Sequence, residues 1–206
     1  MKTLFLLFFS LSLLANNYPY FTKDELLFIE KKHGNISKNR IMDYEATVKS
    51  LMPKSKSEQL LKVNFYLNQL LPQYDAVIQK QEDYWATPKE FLIAGYGDCE
   101  DYVIIKYFTL IKLGFDKNKL FITTAHEKYS GGYHMVLSYF EEKNKSPFIL
   151  DNLSFKVLDL KTREDLEADL FINSNGVYKM KNNHLIKEYN YSQQFQDLLK
   201  KVQQGD

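Results

Sequence analysis

An apolar segment at residues 102–113 constrains the fold of this 206-residue chain more than any other stretch. Only Lys106, Thr109 and Lys112 are polar within it, and they recur at every third position. A helix with this pattern leaves one narrow polar stripe for water and needs apolar partners on its other sides. The segment therefore predicts a buried helix at the centre of the fold.

The residues that flank this segment predict where the helix begins and ends. Asp98 is suited to the N-cap position, Asp101 lies three residues on, where a carboxylate can reach back, and Gly114 predicts a left-handed turn at the other end. Cys99, the only cysteine in the chain, then lies in the first helical turn. Unpaired N–H groups and the helix dipole stabilise a thiolate there. Cys99 is therefore a candidate nucleophile, and the alternative is a small buried side chain without chemistry.

Composition and the N-terminus indicate one exported domain. Hydrophobic residues make up 45% of the chain and the formal net charge is +1, so nothing in the charge favours nucleic acid as a partner. We expect a signal peptide at residues 1–15, because Lys2 precedes an apolar run too short to span a bilayer, and a single exported domain at residues 16–206. A retained N-terminal anchor is the alternative. A lone thiol in an oxidising compartment is a liability unless it reacts.

The remaining patterns predict an α+β fold in which the nucleophile helix packs on an antiparallel sheet behind a helical N-terminal region. Capping boxes, glycines and prolines predict helices at residues 22–34, 37–52, 55–71 and 88–94. Alternating or β-rich segments predict strands at residues 120–126, 133–140, 148–153 and 155–160. Short helices are expected to begin at Thr162 and at Ser192.

A cysteine nucleophile needs a base, and the base needs a group that orients it. His134 lies inside an alternating strand, whereas the other three histidines lie near element ends. Asp151 lies in the next predicted strand, and a hairpin would bring it roughly opposite His134, where it could fix the tautomer and stabilise the imidazolium. The sequence therefore predicts a Cys99–His134–Asp151 triad. The alternatives are a histidine that only packs in the core and a strand-end turn at residues 151–152.

Three acids surround the candidate nucleophile. A carboxylate about 7 Å from the sulfur costs a thiolate roughly 2 kcal/mol at an effective dielectric of about 20, more than a helix terminus offsets. Asp98, Glu100 and Asp101 are therefore either well solvated or gathered around a cation. Oxygen ligands suit Ca²⁺ better than zinc.

Several motifs together resemble the bacterial transglutaminase-like cysteine proteinases over about residues 64–178. The matching stretches are residues 83–90, 97–102, 106–107, 134–137 and 150–153, with weaker agreement at Asn64, Asn68, Arg163–Asp165 and residues 171–173.

The resemblance implies a papain-like/transglutaminase-like fold, the triad Cys99, His134 and Asp151, and calcium held by Asp98, Glu100 and Asp101. It also implies a role for the protease in biofilm dispersal. In that role it cleaves the N-terminal region of a large surface adhesin, under an inner-membrane cyclic-di-GMP receptor of the LapD type that sequesters the protease.

These patterns predict a calcium-dependent periplasmic cysteine endopeptidase. Two alternatives remain at this point: a transglutaminase-type acyl transferase or cross-linker on the same fold, and a non-catalytic calcium-binding adaptor. Trp85, the only tryptophan, is expected either to line the cleft and shape the oxyanion site or to pack in the core. The backbone N–H of Cys99 is the more direct oxyanion donor, because it lies in the first turn of a helix.

Overall fold

The computed structural model describes residues 20–72 and 84–205. The predicted signal peptide at residues 1–15 lies outside the described residues, as does Asp83 of the motif at residues 83–90. No helix in the described part of the chain is long and apolar enough to cross a membrane.

The helices begin where the sequence predicts. The side chains of Thr22, Ser55 and Thr87 form the expected capping boxes. They open α1 (Lys23–Leu51), α2 (Lys56–Leu67) and α3 (Pro88–Ala94), and α4 (Cys99–Lys112) and α5 (Gln193–Gln204) follow.

The observed bounds of α1 and α2 differ from the predicted ones. Helix α1 contains both predicted N-terminal helices, interrupted at Gly34, whose φ of 86° lies in the left-handed region. Helix α2 ends at Leu67 instead of continuing to Leu71. Residues Leu71–Pro72 form a short strand β1, which pairs in parallel with β2 (Tyr96–Gly97) directly before the nucleophile.

Helix α4 is buried, but its polar stripe does not face water as predicted. Lys106 and Thr109 are 0% and 2% exposed, and the hydroxyl of Tyr44 from α1 lies 2.8 Å from the Thr109 hydroxyl. The predicted C-terminal turn is confirmed: Gly114 has a φ of 82° and the N–H of Phe115 bonds the carbonyl of Leu110 at 3.0 Å.

The predicted side-chain cap of α4 is wrong. Asp98 occupies the N-cap position but makes no cap hydrogen bond with its side chain. The Asp101 carboxylate accepts the backbone N–H of Ala86 through Oδ1 at 2.8 Å. This contact joins the entry of α3 to the first turn of α4.

A seven-stranded antiparallel sheet follows α4 in the described residues, and Leu120 and Ile122 pack towards the main core while Phe121 packs on the opposite face. The four predicted strands are present as β3 (Leu120–Glu127), β4 (Tyr133–Tyr139), β5 (Phe148–Asp151) and β6 (Ser154–Asp159). Three further strands, β7 (Leu166–Asn173), β8 (Gly176–Lys181) and β9 (His184–Tyr189), complete the order β6-β5-β4-β3-β7-β8-β9.

The helix predicted to begin at Thr162 is wrong. A single 3₁₀ turn, Leu160–Thr162, ends there, and the chain enters β7 at Leu166. Its N-cap is Asp159, whose carboxylate accepts the N–H of Lys161 at 2.8 Å. The helix predicted at Ser192 is confirmed as α5.

Candidate active site

A pocket of about 440 Å³ lies where the N-terminus of α4 meets β4. Its lining includes Cys99 and His134, with Asp98 and Glu100 beside the cysteine and Leu153 beside the histidine. A larger cavity of about 580 Å³ is lined by Phe121, Phe140, Tyr178 and several asparagines, and no residue that lines it is a cysteine. The smaller pocket is therefore the candidate active site, because nucleophile chemistry is available there.

Cys99 is half-buried, is not in a disulfide, and is the first residue of α4. Its thiol donates to Glu100 Oε2 across 3.1 Å. Burial raises the pKa of the Cys99 thiol, and the charge of Glu100 and this hydrogen bond raise it further, while a hydrogen bond from the Met135 backbone acts in the opposite direction. The structure therefore favours a protonated thiol beside strand β4.

His134 and Asp151 lie in direct contact. The distance from His134 Nε2 to Asp151 Oδ1 is 2.7 Å, and the two side chains are 7% and 0% exposed. The register pairs Leu137 with Leu150, so Asp151 lies nearer to Val136 than to His134 along the strands, and the two side chains meet on a diagonal. The predicted neighbours are thus brought together, with a register offset of two residues from a directly opposite pair.

The hydrogen bond fixes how the imidazole can act. Because Nε2–H of His134 donates to Asp151, the ring nitrogen that is left to accept a proton in the pocket is Nδ1. Burial alone would raise the pKa of Asp151, but the His134 contact, the Leu153 N–H and Arg163 together hold it well below its usual range. Asp151 is therefore ionised whenever the imidazole needs a counter-charge.

Arg163 is a site residue that the sequence reasoning missed. Its Nη2 donates to Asp151 Oδ2 at 2.7 Å and to Asp165 Oδ2 at 2.6 Å. The sequence held only a weak signal, the agreement at Arg163–Asp165 with the resembled family. The amide of Asn68 also donates to the backbone carbonyl of Asp151 at 2.6 Å, so α2 braces the same strand end.

Two of the three predicted metal ligands, Glu100 and Asp101, make separate contacts in the described residues. Glu100 and Asp101 are 8% and 4% exposed, but Glu100 faces the thiol and Asp101 faces Ala86. No three acidic, histidine or cysteine side chains in residues 20–72 and 84–205 are grouped so that one metal ion could be held. Three of the four consecutive residues 98–101 nevertheless carry carboxylates, and two of these side chains are nearly buried. Such a set of oxygen donors fits a hard cation such as Ca²⁺.

Trp85 and three of the four histidines lie outside the candidate pocket. Trp85 is 5% exposed and packs in the main hydrophobic core, which settles its two alternatives in favour of packing. His33, His126 and His184, which lie near element ends, are exposed.

Comparison with solved structures identifies three of Legionella pneumophila LapG that are similar to this chain. The calcium-bound form is 32% identical, with a TM-score of 0.74, and the match covers 85% of this chain and 98% of that chain. The EGTA-treated form is 33% identical, with a TM-score of 0.74 and coverage of 86% and 97%. A third structure is 32% identical, with a TM-score of 0.73 and coverage of 86% and 95%.

The sequence profile described as bacterial transglutaminase-like cysteine proteinase BTLCP matches residues 28–165. No curated protein matches the chain. The profile spans Cys99, His134 and Asp151 together with the helical N-terminal region, and the LapG structures share the arrangement of helices and antiparallel sheet described above. This chain therefore belongs to the bacterial transglutaminase-like cysteine proteinases.

Proposed function

We propose that this protein is a calcium-dependent periplasmic cysteine endopeptidase with the triad Cys99, His134 and Asp151. The observation that carries the proposal is the 2.7 Å contact between His134 Nε2 and Asp151 Oδ1 in a pocket that also contains the half-buried Cys99. A nucleophile at a helix N-terminus, a base and an orienting carboxylate are the three parts that covalent acyl transfer requires.

The contacts in the pocket support a two-step hydrolysis in which each member of the triad has one role. His134 Nδ1 takes the thiol proton, and Cys99 Sγ attacks the scissile carbonyl carbon to form a tetrahedral oxyanion. The backbone N–H of Cys99, in the first helical turn, is placed to stabilise that oxyanion. His134 then gives its proton to the leaving amine, which leaves a thioester on Cys99. Water, activated by His134, releases the acid and restores the thiol.

The raised pKa of the Cys99 thiol has to be overcome for this sequence to begin. Asp98, Glu100 and Asp101 would hold Ca²⁺, whose positive charge offsets the carboxylate charges that oppose a thiolate. Calcium dependence is supported by the donor set and by the similar LapG structures, one calcium-bound and one EGTA-treated.

We further propose the biological role of this activity. The substrate is the N-terminal region of a large surface adhesin, whose cleavage releases the adhesin and disperses a biofilm. An inner-membrane cyclic-di-GMP receptor of the LapD type controls the protease by sequestering it. The similarity to LapG supports this role, and the apolar run after Lys2 supports export to the periplasm.

A cleavage assay tests the proposal. Purified protein is incubated with a recombinant adhesin N-terminal region, in calcium or in excess EGTA, and the products are weighed by mass spectrometry. We expect two fragments whose masses sum to substrate plus one water, formed in calcium, suppressed by EGTA and restored by added calcium. Amine-linked products would indicate an acyl transferase instead, and full activity in EGTA would contradict the calcium half of the proposal.

A labelling experiment separates an enzyme from a calcium-binding adaptor. Iodoacetamide should alkylate native Cys99 in the presence of calcium, because a working nucleophile must be accessible and ionisable. A thiol that reacts only after denaturation would contradict catalysis.

A further inference from the structure

Arg163 forms an ion bridge between two carboxylates behind the pocket. Its side chain is 7% exposed, and its Nη2 is shared between Asp151 Oδ2 and Asp165 Oδ2 at 2.7 and 2.6 Å. Its Nε also donates to Asp165, at 2.8 Å to Oδ1 and 3.1 Å to Oδ2. Asp165 therefore fixes the plane of the guanidinium, and Arg163 presents one N–H in a defined direction to Asp151.

The bridge divides the two oxygens of Asp151 between separate donors. Oδ1 receives His134 Nε2 at 2.7 Å and the N–H of Leu153 at 2.9 Å, whereas Oδ2 receives Arg163. A carboxylate with donors on both oxygens cannot rotate about its terminal bond without breaking one of them. Arg163 thereby restricts the orientation in which Asp151 meets the imidazole.

The segment that carries Arg163 is anchored to the turn that lines the pocket. The N–H of Lys128, at the start of the β3–β4 turn, bonds the carbonyl of Asp165 at 2.9 Å. The N–H of Leu166 bonds the carbonyl of Arg163 at 3.1 Å. The guanidinium is therefore fixed both by its own ion pairs and by the backbone around it.

We propose that Arg163, held in place by Asp165, is a positioning residue that aligns Asp151 with His134 for proton transfer from Cys99. The inference rests on the proposed function, because that function makes His134 the base. Arg163 is not among the residues that line the pocket, and its hydrogen bond to Asp151 Oδ2 links it to the triad.

Other charged groups face the same carboxylate and enter any pH measurement. His134 approaches from β4 and Arg163 from the segment before β7. Lys106, buried in α4, interacts electrostatically with Asp151, and burial lowers its pKa to about 7. Asp165 faces Arg163 from the other side. The test therefore compares variants across the whole pH range instead of at one pH.

The test is a double-mutant cycle read by alkylation of Cys99. Rates with iodoacetamide are measured from pH 5 to 10, at fixed calcium, for wild type, Arg163→Lys, Asp151→Asn and the double variant. Arg163→Lys keeps the positive charge and removes the planar fork. Asp165→Asn, at a partly exposed position, is a milder second variant that loosens Arg163 without removing it.

We expect Arg163→Lys to slow alkylation about tenfold near pH 7, the usual scale for the loss of an outer hydrogen-bond partner. The difference from wild type should narrow as the pH rises, because hydroxide in solution increasingly takes the place of the base. Asp165→Asn should shift the profile in the same direction by less, with a near-native thermal midpoint. In the Asp151→Asn background, Arg163→Lys should change the rate less than twofold.

Two outcomes overturn the inference. A wild-type profile for both Arg163→Lys and Asp165→Asn would show that the bridge does not affect the base. Equal losses for Arg163→Lys with and without Asp151 would show a general structural role. The alkylation assay needs no adhesin substrate, so it tests Arg163 independently of the proposed adhesin role. If the adhesin fragment is not cleaved but Arg163 and Asp151 are coupled in alkylation, the adhesin role is wrong and the role of Arg163 stands. If the fragment is cleaved but the two residues are not coupled, only the role of Arg163 is wrong.

Discussion

The pKa values of the two halves of the candidate active site, Asp151 on the base side and Cys99 on the nucleophile side, are shifted in opposite directions. On the base side, Asp151 accepts three hydrogen bonds, and its pKa lies well below its usual range. On the nucleophile side, burial and Glu100 raise the pKa of the Cys99 thiol. The base side is thus organised by the chain itself, whereas the nucleophile side is biased towards a resting thiol. Activation of the thiol therefore has to overcome its burial and the carboxylate charge beside it.

Replacing the nucleophile removes one half altogether and should have the largest effect. Cys99→Ala should abolish cleavage, a loss of up to about 10⁶-fold in kcat, because no other group in the pocket can form the thioester. The measurement is cleavage of the adhesin fragment, together with a thermal melt that shows whether the variant is folded. A folded variant with residual cleavage above a mock preparation would contradict the role of Cys99.

Removing the charge on the base side should have the next largest effect. Asp151→Asn should lower kcat by about 10⁴-fold, because an amide neither fixes the same tautomer nor stabilises an imidazolium. KM for the same fragment should change far less, which steady-state kinetics would show. A loss confined to KM would indicate that Asp151 serves substrate binding instead.

Neutralising Glu100, the acid that faces the thiol, should lower the pKa of Cys99 and so reduce the contrast between the two halves. Without calcium, Glu100→Gln should speed alkylation of Cys99 at pH 7 about tenfold, because the charge and the acceptor that raise the thiol pKa are both removed. The same variant should lose stimulation by calcium if Glu100 is a ligand.

Glu164→Gln provides the matched control for net charge, since Glu164 is exposed and is not among the pocket-lining residues. Its alkylation profile should follow wild type. Equal acceleration in both variants would indicate a general charge effect instead of a local one at the thiol.

Lys106 lies between the two halves, on the nucleophile helix but coupled to Asp151, and its effect should appear in stability. Its folded pKa of about 7 is below the ordinary value of 10.5, so the unfolded chain binds more protons between these pH values. The free energy of unfolding should therefore rise with pH from about 7 to 10.5, by at most about 5 kcal/mol. Lys106→Met should flatten this rise and stabilise the protein below pH 7. Denaturant titrations at pH 6 and 9 measure both, and parallel wild-type and variant curves would contradict the assignment.

Local rules made much of this molecule predictable. The capping box at Thr87 and the turn at Gly114 depend on neighbouring residues, and both formed as predicted. The predicted alternation in burial around His134 holds at residues 133–136, whereas residues 136–139 are buried on both faces of β4. The placement of Cys99 at the start of α4 follows from the same local signals.

The failures arise where distant segments decide the outcome. Thr109 is buried because Tyr44, 65 residues away, satisfies its hydroxyl. Arg163 meets Asp151 only because the chain returns along β7 beside β3. Strands β8 and β9 carry many exposed polar residues, so their alternation is weak in the sequence. Position along the helix also does not fix where the carboxylates of Glu100 and Asp101 point, so the calcium ligands stay a prediction.

Gly97 carries a consequence for anyone who would re-engineer this enzyme. A methyl group at this position would lie 2.6 Å from Asp101 Oδ2 and 2.9 Å from a ring carbon of Phe91. Any substitution would therefore push Asp101 away from Ala86 and detach the entry of α3 from the start of α4. A mutant library aimed at new cleavage specificity should randomise the side of the pocket opposite the start of α4 and leave Gly97 unchanged.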